Sequence, residues 1–523
     1  MTANAKTTAF NNGSPFAKEP AAIKRAKADQ ARDDRDQRAA DQYRARDAAT
    51  ASNCATTAAD AMADLRRVMA DNADALTSTA VLAHVARFAD ARGAERYATT
   101  FGVLMRTVLA VPPQVVLPPI IGGEVSLNML LTVVGGSGAG KGTADKTAAA
   151  AVRLSVGGRR PVQSLPMLPV GTGEGINRTY AHAERDKFGS GQVGLRWHTD
   201  RALFGCRDIA TFDALTARQG STLVPELLKA YMGEELGFAN AEKDRRVILP
   251  MHTYRLCLSA GVQPDNGMVL LNDQAQRDGV PQRFIWTPVR PGVARPRRRA
   301  DAKAVDPLNV AVPDFGIDPM TFEVGDDDDA DADFYDPTAR PLVPVGVGSS
   351  IAQQIIDADA AKDADPFGRS ADPLAGHRLL AQLKVAAALA VLHNRTYVDS
   401  EDWQRAERLI DVSSAVARVV SAESGSAAER DAVRQGQIDG HRLAAADDAR
   451  HTAALHTVMN RVSRYLGEQA DWVSQGAVTR SVTGKMRRDL SDALLALLAN
   501  GTIERRKVER AAQSVIEYRI RAA

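Results

Sequence analysis

Nine residues constrain this chain more than any others: GGSGAGKGT, Gly135–Thr143. They stand between an apolar run, SLNMLLTVV (Ser126–Val134), and an alanine-rich one, DKTAAAAVRL. The first reads as a buried strand and the second as a helix. Strand, glycine loop and helix in that order are the setting in which such a loop cradles phosphate. Gly135, Gly138 and Gly140 let the backbone curl until successive N–H groups face one anion, and the helix adds the positive end of its dipole. Gly136, Ser137, Ala139 and Gly142 complete the loop. Lys141 is spaced to reach the β- and γ-phosphates of a nucleoside triphosphate, with ATP as the expected cofactor. The bland alternative is a glycine turn of purely structural use.

The end of the loop departs from the usual pattern. Serine or threonine is expected directly after the lysine, but Gly142 stands there and Thr143 comes one place later. Thr143 is the expected Mg2+ ligand, and the GKGT ending is the adenylate-kinase-like spelling of the loop. Hydrolysis also needs a metal-holding carboxylate and a group that orients water. RALFGCRDIATF (Arg201–Phe212) reads as a strand ending in Asp208, the expected second Mg2+ ligand. Arg207 interrupts that run and Ile209 replaces a following acid. An acid capping a loop is the alternative, and Asp213 lies further along. In PVGTGEGI (Pro169–Ile176), after the strand-like VQSLPMLPV, Glu174 is the expected general base or else a loop acid at a helix N-terminus.

TYRLCLSAGVQPD (Thr253–Asp265) is another buried strand, with Ser259 and Gln263 placed to contact the γ-phosphate. GVPQRFIW (Gly279–Trp286) sets Gln282 and Arg283 before a strand. An arginine there stabilises transition-state charge, often on a neighbouring subunit's nucleotide, or forms a structural ion pair.

Around these motifs the chain divides by composition. Residues 1–58 carry almost no large apolar side chains and read as a disordered or loosely helical arm. Residues 59–119 have helical periodicity and end in prolines. Residues 120–290 alternate apolar runs with helices, the pattern of a parallel sheet with crossover helices. Residues 291–349, with PRRR (Pro296–Arg299) and Asp326–Asp329, read as a charged linker or insertion. Residues 350–423 are helical again, with a buried helix at His377–Arg395 and a second begun by SEDW, Ser400 as its cap. Residues 424–451 read as a linker helix.

Residues 452–523 predict three helices and a hairpin, a winged helix. From 476 onward this segment has ten Lys or Arg against five Asp or Glu. Arg480, Lys485, Arg487 and Arg488 are expected along the recognition region, and Arg505, Arg506 and Lys507 in the wing. The cluster suits DNA phosphates, while a protein-binding winged helix remains the alternative.

Bulk properties narrow less. The formal charge of +2 names no partner. Cys54, Cys206 and Cys257 lack metal-ligand spacing and predict neither a disulfide framework nor a zinc site. No apolar run approaches membrane-span length, and the chain reads as soluble and cytoplasmic.

The motifs together resemble the RecA-fold ATPases of phage, plasmid and integrated-element replication proteins, the RepA-like and primase-helicase group. The resemblance runs through LPPIIGGEVSLNMLLTVVGGSGAGKGT, PVGTGEGI, RQGSTLVPELLKAYMGEELGF, YRLCLSAGVQPDNGMVLL and GVPQRFIW, and resumes at GHRLLAQLKVAAALAVLHNRTYVDSEDWQRA. It covers roughly residues 75–420. It implies an α/β fold: a RecA-like P-loop NTPase core with flanking helical domains, besides the C-terminal winged helix. It also implies DNA and replication proteins as partners, and a homo-oligomer such as a hexameric ring. RQGSTL and GEELGF then suit either a DNA-facing pore or packing.

Three functions are expected on these grounds: a DNA-dependent, helicase-like ATPase of a phage or mobile element; a non-catalytic initiator or loader switched by ATP; and a nucleotide-kinase-like phosphotransferase. The last lacks an arginine-rich lid at the expected distance.

Overall fold

The computed structural model describes residues 58–162, 164–185, 193–216, 218, 220–237, 247–292, 304–317, 337–364, 376–510 and 513–521. Residues 1–57 of the arm, the PRRR run and the aspartates at 326–333 lie outside them, while Ala58, the last residue of the arm, is buried in a helix. The chain forms two compact units that divide between Glu429 and Arg430.

The first unit is built on five parallel strands: β1 (Met129–Val134), β2 (Met167–Pro169), β3 (Arg201–Cys206), β4 (Arg255–Val262) and β5 (Phe284–Pro288), in the order β5-β1-β4-β3-β2. Every residue of β1, β4 and β5 is buried, as expected of a parallel sheet covered on both faces. This mixed α/β architecture matches the alternation in the sequence.

The strand order creates a crevice for a ligand. The chain leaves β1 for the far edge, returns through β2, β3 and β4, then passes β1 to reach β5. The connection after β1 runs toward β2 and every later one runs back toward β5, so the connections leaving the neighbours β1 and β4 diverge. Right-handed crossovers therefore put the connection after β1 on one face of the sheet and the later ones on the other. The C-terminal ends of β1 and β4 flank this switch point, where α/β sheets take their ligands.

Helices α1 (Ala80–Arg92), α2 (Arg96–Leu109) and α3 (Lys141–Ala151) pack together beside the sheet. Thr79 and Glu95 cap α1 and α2 by accepting from Leu82 N and Ala98 N. A Cβ on Gly102 would lie 2.6 Å from Ala148 Cβ, so α2 and α3 meet only because that position is glycine. Further along come α4 (Gly173–Tyr180), α5 (Ile209–Thr216), α6 (Leu223–Met232), α7 (Arg378–Leu392) and α8 (Ser400–Gly467). One hydrophobic cluster runs from Leu65 through the sheet to Val420. The helices of 59–119 and 350–423, set apart by composition, share that core with the sheet.

Several local expectations change. The helix after the glycine loop stops at Ala151, and Val152–Val156 becomes a strand paired in parallel with Leu308–Val312. Part of the segment read as linker is thus sheet. Ala181–Arg185 and Val193–Trp197 form an antiparallel pair that the apolar pattern did not announce. Asp399, not Ser400, caps α8: its carboxylate accepts from Asp402 N at 2.9 Å. Cys206 and Cys257 are free and buried. Among the described residues no helix is long and apolar enough to cross a membrane.

In the second unit the end of α8 contributes Val458, Val462 and Leu466 to a separate core. After it come β6 (Val473–Ser474), α9 (Gln475–Ser481), α10 (Leu490–Ala499), β7 (Ile503–Arg510) and β8 (Gln513–Ile520), the strands antiparallel in the order β6-β8-β7. Gly501, at φ 74°, ends α10 as its position after Asn500 predicts.

Candidate phosphate-binding site

The glycine loop leaves the sheet at the switch point. Its base is held by both neighbours of β1: Gly135 N donates to Val262 O at 2.9 Å, and Val289 N donates to Val134 O at 2.7 Å. A Cβ on Gly135 would run into the Val289 side chain. Gly138 and Gly140 take φ of 70° and 101°, left-handed conformations that a side chain disfavours. Gly140 is the N-cap of α3, and Lys141 is its first residue. The loop thus ends on the positive end of an eleven-residue helix.

Lys141 Nζ donates to the carbonyl oxygens of Gly135 and Gly136 at 2.6 and 3.1 Å, which puts the ammonium inside the loop. Burial pulls its pKa below the ordinary lysine value, and the carboxylates of Asp208 and Asp265 pull it back up. The backbone of β4 leaves room for this lysine. A Cβ on Gly261 would collide with Arg207 O and approach Lys141 Cε at 3.4 Å. Chemically this is an anion cradle: curled N–H groups, a helix N-terminus and a cation within charge range of two acids.

Asp208 lies where the strand reading expects it, two residues past the end of β3. Its Oδ1 accepts from Ala210 N at 3.1 Å, so the acid also begins α5. Cap and electrostatic neighbour of Lys141 are one residue. Thr143 lies in the first turn of α3. Gln263 leaves the end of β4 and opens a turn, Pro264–Asn266, that carries Asp265. Ser259 lies deeper: it pairs with Leu131 and Gly205, three residues short of the end of β4.

Glu174 does not lie in an irregular loop. It is in the first turn of α4, capped by Thr172, and is exposed. It shares the C-terminal edge of the sheet with the glycine loop, but β2 is three strands from β1, roughly 14 Å at ~4.8 Å per spacing. Arg283 lies at the other edge. Phe284, its neighbour, pairs with Leu130 at the start of β1, whereas the loop leaves from Val134. About four residues of strand, roughly 13 Å at ~3.3 Å each, separate Arg283 from its own loop. Its Nη1 donates to Gly279 O at 2.9 Å.

Two residues at the loop carried no motif. Asp265 sits in a turn-forming QPDN sequence. Arg290 sits in TPVRPG, which reads as the start of a linker. Arg290 Nε donates to Ala139 O at 2.9 Å, and the residue is exposed with φ 58°. The only available signal was position: a charged residue two past the end of an apolar strand.

GEELGF packs rather than projects, as far as it is described. Gly233 lies against Ser126 and the His252 ring, and Gly237 against the backbone of Val247. Buried Glu226 accepts from Asn177 Nδ2 and Gly237 N.

In the second unit, Arg480, Lys485, Arg487 and Arg488 are exposed; the last three lie in the turn between α9 and α10. Arg505, Arg506 and Lys507 lie along β7. Arg506 is occupied: its guanidinium donates to Glu517 at 2.8 and 2.9 Å and stacks on Trp472, with Arg519 over the same indole. No protein-family model matches this chain, and no curated protein matches it in sequence.

Proposed function

We propose that this chain is a DNA-dependent ATPase of helicase type with a RecA-like core and a C-terminal winged helix. The observation that carries it is the placement of Lys141, inside a glycine loop at the switch point of a five-stranded parallel sheet and within charge range of Asp208 and Asp265. ATP binds at Gly135–Thr143. Mg2+ is held by Thr143 and Asp208. Glu174, exposed at the same edge of the sheet as the loop, is assigned the attacking water. Because Arg283 lies at the N-terminal end of β5, opposite the end from which the glycine loop leaves β1, its part in the reaction is played on the nucleotide of a neighbouring copy in a ring. When bound, the metal neutralises phosphate charge; Lys141 and the loop amides hold and orient the phosphates. Helix–strand–helix–helix–strand–strand order in the second unit supports the winged-helix reading. The setting proposed is replication of a phage or mobile element.

The test is ATP turnover with and without single-stranded DNA, in wild type and Lys141→Ala. DNA-stimulated turnover that the variant loses is expected. Absence of turnover under every condition overturns the reading.

The distance of Glu174 from the loop favours a second reading, in which ATP only switches assembly of a DNA-binding initiator. ATP binding without turnover, unchanged in Glu174→Gln, selects it.

A further inference from the structure

We propose that the C-terminal unit grips double-stranded DNA by its phosphates alone and reads no base sequence; this rests on the DNA-binding reading of the proposed function and specifies its ligand. In a helix–turn–helix arrangement the second helix is the one that enters the major groove. Here that helix is α10, whose exposed residues include Ser491, Asp492, Leu495 and Ala499. Base edges are read chiefly by arginine, lysine, asparagine or glutamine, whose long side chains make paired hydrogen bonds. This face carries none of them. Leu495, 59% exposed, offers at most one apolar contact, and the carboxylate of Asp492 opposes a phosphate-lined groove. Asn500, just past the helix, already accepts from Thr502 N and Oγ1.

Positive charge flanks this face instead. Lys485, Arg487 and Arg488 precede α10, and Arg505 and Lys507 follow it on β7, all exposed. Arg506 drops out of the set because Glu517 and Trp472 hold it. Phosphate contacts fix position on a duplex but carry no sequence information. Five such cations lie before and after a helix whose exposed face offers base edges only the single contacts of Ser491 and Asp492 and none of the paired ones, so the surface binds unrelated duplexes nearly alike.

The test uses the full-length chain without nucleotide, in fluorescence anisotropy against two duplexes of equal length and base composition but unrelated sequence, over a salt series. The proposal expects affinities within about threefold of each other, well under the cost of one mismatched base pair at a reading site. It expects the slope of log affinity against log salt to shallow by roughly 2.7 in Lys485→Ala/Arg487→Ala/Arg488→Ala, ~0.9 per lost contact. Asp492→Ala should strengthen binding to both duplexes equally. A preference for one duplex beyond about threefold overturns the proposal and leaves DNA binding standing, whether or not Leu495→Ala weakens it. Binding whose salt slope is unchanged in that triple variant and in Arg505→Ala/Lys507→Ala places the contacts elsewhere and also overturns it. Failure of wild type to bind either duplex at low salt while it binds single-stranded DNA overturns this proposal alone, and failure to bind either form overturns the DNA-binding reading itself.

Discussion

The guanidinium Nε of Arg290 donates to the carbonyl oxygen of Ala139 at 2.9 Å. This bond ties the residue after β5 and Val289 to the middle of the glycine loop. It turns one loop carbonyl toward a cation, in a loop where Gly135 N and Ala139 N already donate to Val262 O and Gly136 O. Arg290 does this from a left-handed backbone, φ 58°, that a residue with a Cβ adopts at a cost.

Two substitutions separate these contributions. Arg290→Ala and Arg290→Gly both lose the bond to Ala139, but only glycine relieves the backbone. Thermal melts should rank Arg290→Gly above Arg290→Ala by roughly 1 kcal/mol. Both variants should weaken ATP binding, by roughly three- to tenfold for one charge-assisted hydrogen bond. Equal melting of the two variants would mean that Arg290 is unstrained in solution.

Gly261 should not tolerate a methyl group. Its neighbours are a backbone oxygen, Arg207 O, and the lysine that reaches into the loop. Gly261→Ala is expected to destabilise the protein by roughly 1–3 kcal/mol through overpacking. ATP affinity measured by titration calorimetry should fall as Lys141 is displaced. Wild-type stability together with wild-type affinity would contradict this packing.

At the N-terminal end of β4, away from the loop, Arg255 is fully buried. It donates to Ser126 Oγ at 2.8 Å and to Pro112 O and Val115 O at 2.7 Å each. Burial takes its pKa down to about 10. Arg255→Met removes the donors and strands buried acceptors, with an expected loss of roughly 2–4 kcal/mol in urea unfolding. Arg255→Lys should rescue little, because one ammonium cannot reproduce the planar fork.

Acid should loosen the first unit. Burial holds His377 down to about 4, from an ordinary value of 6.5, with Arg283 and Lys362 adding to the effect. His252 and His393 are lowered for the same first reason. Between about 4 and 6.5 the unfolded chain binds more protons at these sites than the folded one. Stability therefore rises with pH across that window and falls on acidification from 6.5. Urea midpoints at pH 7 and pH 5 check this, and His377→Gln should show a smaller drop than wild type.

Much of the site was legible because its signals are local. A run of apolar residues from Ser126 to Val134 had to be buried, and β1 is Met129–Val134 within it. Glycines followed by lysine and an alanine run had to be a loop entering a helix, and α3 begins at Lys141. Asp208 was legible as the acid past an apolar run. The helices and hairpin of the tail were legible from periodicity and from Gly501. Less legible were elements whose partners are distant in the chain. Val152–Val156 pairs along its whole length with Leu308–Val312, over 150 residues later, and only at its end with the nearby Arg160–Pro161.

By itself the sequence determined the glycine loop, the lysine it carries, the parallel character of the buried strands and the basic surplus of the tail. Each is written in composition or in spacing over a few residues. Tertiary structure alone decided which charges meet. It brought Asp265 and Arg290 to Lys141's loop, held Arg283 at the opposite edge and seated Arg506 between Glu517 and Trp472. The reason is that a charge acts over a few ångströms in space, and strand order, not sequence distance, sets those separations.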